Sequence, residues 1–245
     1  MHRVAPLRRG LGAILMLLAT LATLSHATPS PVERAQIQAS RATSSLMLVR
    51  GEGFQANHLQ RLEDDLLALR TTVQSLDPDE TLQRRHQALV EQIQQGVDFG
   101  PGEENMPWRY PAALSQALRD FLFALNDHPQ ATPAELAAKV EYLAVQYLAR
   151  AYFGAFEIAR EQPNTYLGQD ERTLVPTLDE ELAALTAQHP PIGDRLKVRW
   201  NYLRSAFLDI NSSSNVQVSQ SGRPYAPLTI DRHARALSEQ WLAME

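Results

Sequence analysis

An all-α fold, an antiparallel multi-helix bundle around one central apolar helix, is predicted by three observations. Helix-start signatures recur along the chain. Apolar residues step by three and four through much of its length. No run of alternating apolar and polar residues is long enough for a sheet, and Val216-Gln217-Val218-Ser219 is the only hint of a strand.

The first 27 residues stand apart from that fold. Arg3, Arg8 and Arg9 precede an apolar run from Leu11 to Leu24, and Ser25-His26-Ala27 supplies small residues where a signal peptidase cuts. The run is about 14 residues long, short of the ~20 that cross a bilayer. Thr28-Pro29-Ser30-Pro31 stops any helix from continuing. We read 1–27 as a secretory signal peptide and 28–245 as a single helical domain, periplasmic or secreted, with no stable membrane span once the leader is cleaved. Arg8-Arg9 suits twin-arginine export poorly, because of the residues following the pair only Leu11 fits and Leu7 stands where a polar residue is usual.

Helices are expected at 31–49, 58–76, 78–96, 112–126, 133–161, 177–188, 193–210 and 229–243. Four capping boxes open segments: Ser30-Pro31-Val32-Glu33, Asp77-Pro78-Asp79-Glu80, Thr132-Pro133-Ala134-Glu135 and Thr177-Leu178-Asp179-Glu180. In each, the first side chain and the acid three residues on satisfy each other's orphan N–H groups. The first three also place Pro at the first helical position, where its missing N–H costs nothing. Heptad stripes run through Leu59, Leu62, Leu66, Leu69, Val73 and Leu76, then Leu82, His86, Leu89 and Ile93, then Leu196, Trp200, Leu203, Phe207 and Ile210. That rhythm suits the shallow crossings of a bundle. The helix at 133–161 is apolar almost all round, with a narrow polar stripe of Lys139, Gln146, Arg150 and Glu157, as a helix enclosed by others would be.

Composition narrows the function classes. The chain has 245 residues, 44% hydrophobic and 21% charged, which are ordinary globular values. Its net charge is −5, and loss of the leader arginines makes it more negative. Nucleic acid and anionic membrane surfaces are therefore poor partners. It has no cysteine, which excludes disulfides, thiolate metal sites and thiol catalysis.

Three long connections, 97–111, 162–176 and 211–227, interrupt the helices and carry aromatic and arginine residues suited to binding. From these and their flanks the candidate ligand- or partner-binding residues are Trp108, Arg109, Tyr110, Tyr166, Arg204, Arg223, Tyr225 and His233. The competing expectation for the aromatics is that they plug the open ends of the bundle. The segment Trp200-Asn201-Tyr202-Leu203-Arg204, with the polar loop to Pro227 and the helix bearing His233, is the most distinctive stretch.

No catalytic set converges. Asp231 beside His233 reads as a helix cap, His86 as a hydrogen-bonded core residue, and His128 and His189 as helix-end residues. Glu63-Asp64-Asp65 reads as a solvated face, and Asp179-Glu180-Glu181 as a first turn that complements the helix dipole. Arg195, Lys197, Arg199 and Arg204 point in different directions, which suits pairing with acidic helices better than one anion site. No HExxH, paired Glu-x-x-His, nucleophile elbow or phosphate loop is present, so neither metal nor cofactor is expected. The expected role is non-catalytic binding, sensing or adaptor work in the cell envelope, with a protein or small molecule as partner. The alternative is a hydrolase or lyase built from His233, Arg204 and the long loops.

Overall fold

Ser30 opens the first helix as its capping box predicts: its Oγ accepts the Glu33 N–H at 3.0 Å. The computed structural model describes residues 30–132, 136–154, 165–210 and 225–243. The expected leader, the candidate Arg223 and most of the Thr132 capping box lie outside these. Among the described residues the protein is all-α, with eight helices and no strand: α1 Pro31–Gly51, α2 Ala56–Ser75, α3 Glu80–Asp98, α4 Tyr110–Asn126, α5 Leu136–Tyr152, α6 Glu171–Gln188, α7 Pro190–Leu208 and α8 Pro227–Leu242. A single 3-10 turn, Glu103–Asn105, precedes α4.

Two helix starts differ from the expected boxes. In α3 the cap is Asp79, whose Oδ1 accepts the Leu82 N–H at 2.7 Å. Asp77 instead turns the chain with a left-handed φ of 50°, so the nearer acid takes the capping position. The helix expected from Thr177 begins at Glu171, capped by Asp170. It runs on through Pro176, which forfeits one backbone bond to the Arg172 carbonyl without ending the helix. Thr177 therefore sits in mid-helix and donates back to the Thr173 carbonyl.

Helices α3 and α4, and likewise α6 and α7, form antiparallel hairpins. Arg85 meets Asp120 and Gly96 meets Tyr110 across α3 and α4. Asp179 meets Trp200 and Thr186 meets Gly193 across α6 and α7. The α6–α7 turn is His189 alone, the C-cap of one helix and N-cap of the other. A Cβ on Gly193 would lie 2.5 Å from Thr186 Cα, and backbone cannot rotate aside as a side chain does. Gly193→Ala should therefore push α6 and α7 apart and cost about 1–3 kcal/mol, read as a lower thermal midpoint.

One core cluster draws residues from all eight helices. In α5 every residue from Leu136 to Ala149 is buried, including the polar Lys139, Glu141 and Gln146. The helix ends at Tyr152, short of the expected 161, and Gly154 turns the chain with φ 74°. Residues 155–161 lie outside the described residues. A second helix is nearly as enclosed: between Val32 and Val49 in α1 only Arg34 and Gln38 escape burial. Arg41 meets Glu141 and Gly51 meets Tyr152, so α1 and α5 run in the same direction through the core. The heptad positions Leu62, Leu69, Val73, Leu89, Ile93, Leu196, Trp200, Leu203 and Phe207 all face inward. No helix among the described residues is long and apolar enough to cross a membrane.

Candidate functional site

Burying α1 and α5 places charges in the core, and the fold matches them. Arg235 on α8 reaches both Asp65 oxygens, at 2.9 and 2.6 Å, and Asp231 Oδ1 at 3.1 Å. It also donates to Ser45 Oγ and the Arg41 carbonyl. Asp231 takes a second partner, Arg61 of α2. Arg41 donates to Glu141 Oε1 at 2.8 Å and to Ser238 Oγ at 2.7 Å. Inside the core these three arginines and three carboxylates cancel in charge, while Glu239 meets Arg41 from the exposed side, and Asp231 and Glu141 are essentially inaccessible. Burial alone would raise the Asp65 pKa, but hydrogen bonds and charge from Arg235, with Ser45 and Arg61, hold it below the ordinary carboxylate range. Burial pulls the Arg235 pKa down, and Asp65, Asp231 and Glu141 more than reverse it. Groups held so firmly in their charged forms exchange no proton near neutral pH. This constellation braces α1, α2, α5 and α8.

That brace corrects two expectations, and the α6–α7 contact a third. Asp65 is a buried partner, not part of a solvated face. Asp231 caps nothing, because α8 starts at Pro227 with Ala226 as its cap, and it works as a core counter-ion instead. Asp179 lies in the third turn of α6, where it accepts from Trp200 Nε1 at 2.7 Å and Arg204 Nε at 2.8 Å.

The candidate binding residues separate into several places. Tyr110 is core: its hydroxyl donates to the Gln92 carbonyl at 2.7 Å, its ring stands edge-on to Phe99, and burial raises its pKa. Tyr166 is buried edge-on to Tyr142, whose own pKa burial raises to about 12. Trp108 is 81% exposed, with the Arg109 guanidinium 4.7 Å over its ring. Arg204 faces α6 and Asp179. His86 is half-buried against Phe121, and its Nε2 has no hydrogen-bond partner, against the expected bonded core histidine.

Besides the neighbours Trp108 and Arg109, the described candidates that come together are Tyr225 and His233, joined by a residue outside the candidate set. Tyr202 of α7 lies with its ring centroid 4.5 Å from His233 and 5.6 Å from Tyr225, edge-on to the latter. Tyr225 is fixed from beneath, its carbonyl accepting the Tyr147 hydroxyl of α5 at 2.8 Å. Arg199 precedes Tyr202 by three residues on α7, and Arg232 neighbours His233 on α8. The pKa of His233 is lowered, first by burial and then by the charges of Arg199 and Arg232. Burial and Tyr225 raise the Tyr202 pKa against the opposing pull of Arg232. His233 Nδ1 is shut from solvent without a hydrogen-bond partner. Among the described residues, Arg199 and Arg232 form no ion pair. Tyr202 and Arg199 were legible as an i, i+3 pair on one helix face, a signal that loop-centred reasoning passed over. Among the described residues, no group of three or more His, Asp or Glu side chains is placed to hold a metal ion.

Comparison with known proteins finds no matching family model, no matching curated protein and no matching solved structure.

Proposed function

We propose that this chain is an exported helical-bundle protein with a non-catalytic binding, sensing or adaptor role in the cell envelope. The observation that carries the binding role is the α7–α8 cluster, where Tyr202, Tyr225 and His233 stack beside Arg199 and Arg232. Unsatisfied cations beside partly exposed rings suit contact with another molecule, because they combine directed charge with burial of flat area at modest entropic cost. The leader-like start of the chain supports the envelope assignment.

A hydrolase or lyase centred on His233 is the weaker reading. A general base needs an orienting partner and a neighbouring acid or nucleophile. His233 Nδ1 has no partner, the charges acting on it are cationic, and Arg204 turns to α6 instead. Affinity capture with the chain from residue 28 onward, using an envelope extract of its own cell, tests the proposal. Native protein should begin after residue 27, and a specific partner should be lost when Arg199→Gln and Arg232→Gln are combined. Native protein beginning at Met1 in the cytoplasm, or capture indifferent to both substitutions, would overturn it.

A further inference from the structure

We propose that the α7–α8 cluster is a binding site for a small aromatic anion, a planar ring bearing a carboxylate or phosphate. This deepens the binding role proposed above and rests on it. Several arginines elsewhere in the fold meet a carboxylate on a neighbouring helix: Arg41 with Glu141, Arg61 with Asp231, Arg85 with Asp120, Arg204 with Asp179, Arg235 with Asp65. At Arg199 and Arg232 no such match is made among the described residues. Arg199 stands three residues before Tyr202 on α7 and Arg232 next to His233 on α8, so the two flank the Tyr202–His233 ring contact, and both charges bear on that imidazole. In a chain of net charge −5, such an unpaired basic pair favours an anion over a cation.

The rings set the rest of the ligand. Tyr202 packs against His233, tilted at 39°, and Tyr225, at 89°, and all three side chains remain partly exposed. Another flat ring packs on such a surface in offset or edge-on geometry. Guanidinium forks match the planar oxygens of a carboxylate or the paired oxygens of a phosphate. An inorganic anion would leave the rings unused, and a neutral ring would leave both charges unanswered.

Isothermal titration of the folded chain from residue 28 onward against benzoate, phenyl phosphate, inorganic phosphate and benzyl alcohol tests this. One or both aromatic anions should bind saturably and at least about tenfold more tightly than inorganic phosphate or benzyl alcohol, the loss expected when a charge-assisted contact or a ring contact is missing. Benzoate alone would identify a carboxylate site, phenyl phosphate alone a phosphate site. Arg199→Gln with Arg232→Gln should weaken that binding by about tenfold or more, and Tyr202→Leu should abolish the preference for a ring. Both arginines lie at the surface or half-exposed, so circular dichroism should show the fold unchanged. No saturable binding by either aromatic anion, equal binding of inorganic phosphate, or unaltered binding in the double glutamine variant would overturn the assignment. If that failure comes while envelope capture still depends on Arg199 and Arg232, the binding role stands and only the ligand class falls.

Discussion

Arg235→Met lowers the free energy of unfolding by about 3–5 kcal/mol, the usual cost of removing one partner from a buried ion pair. For a chain of this size that is a drop of roughly 6–20 °C in thermal midpoint, read by circular dichroism. Methionine keeps most of the stem volume, so the loss reports on charge more than on packing. The guanidinium now bonded to Asp65, Asp231, Ser45 and the Arg41 carbonyl disappears, while the carboxylates stay buried. Asp65 keeps only Ser45 and the more distant Arg61 charge. Adding Asp65→Asn should recover part of the loss, since it removes the orphaned charge, and the two substitutions should be non-additive by at least about 1 kcal/mol. The pH dependence gives a second readout. The folded Asp65 pKa is below its ordinary 3.8, so its contribution is complete above that value and is lost as pH falls through the lower folded one. In Arg235→Met that acid-side slope should flatten. A variant that melts with the wild type would show that the network braces nothing.

The helices were legible where the reasons are local. The stripe through Leu62, Leu69 and Val73, and the one through Leu196, Trp200, Leu203 and Phe207, bury the side chains their spacing implies. Ser30 caps because its partner N–H lies three residues away. What escaped depends on distant chain. Asp65 sits in an acidic run and reads as solvated until Arg235, 170 residues later, is placed against it. The enclosure of α1 likewise depends on distant chain, with Arg41 meeting Glu141 of α5 and Ser238 of α8, and Ser45 meeting Asp65 of α2. Asp179 imitates a first-turn acid because Pro176 looks like a stop. The helix passes through that proline, and Trp200 and Arg204 claim the carboxylate. At the candidate site Tyr225 and His233 were visible as loop and helix-start residues. Their meeting at Tyr202 was not, since it depends on how α7 lies against α8.

Tyr147→Asp should be the most damaging single change in α5. Tyr147 is 1% exposed on a helix buried along its whole described length to Ala149. The substitution removes a large ring, leaves a cavity, and takes the hydroxyl donor away from the Tyr225 carbonyl. The shorter aspartate cannot reach that carbonyl and ends close to its own helix in the core, so the carboxylate is either buried unpaired or protonated at a cost. Cavity and burial together exceed about 4 kcal/mol, a large share of the ~5–15 kcal/mol that holds a domain together. Soluble, folded protein should largely be lost. Tyr147→Phe separates the two contributions: it keeps the ring, deletes one hydrogen bond and should cost only about 0.5–1.5 kcal/mol. If the aspartate variant melts as gently as the phenylalanine one, water must reach position 147, and α5 is not the enclosed helix that anchors Tyr225 beneath the α7–α8 cluster.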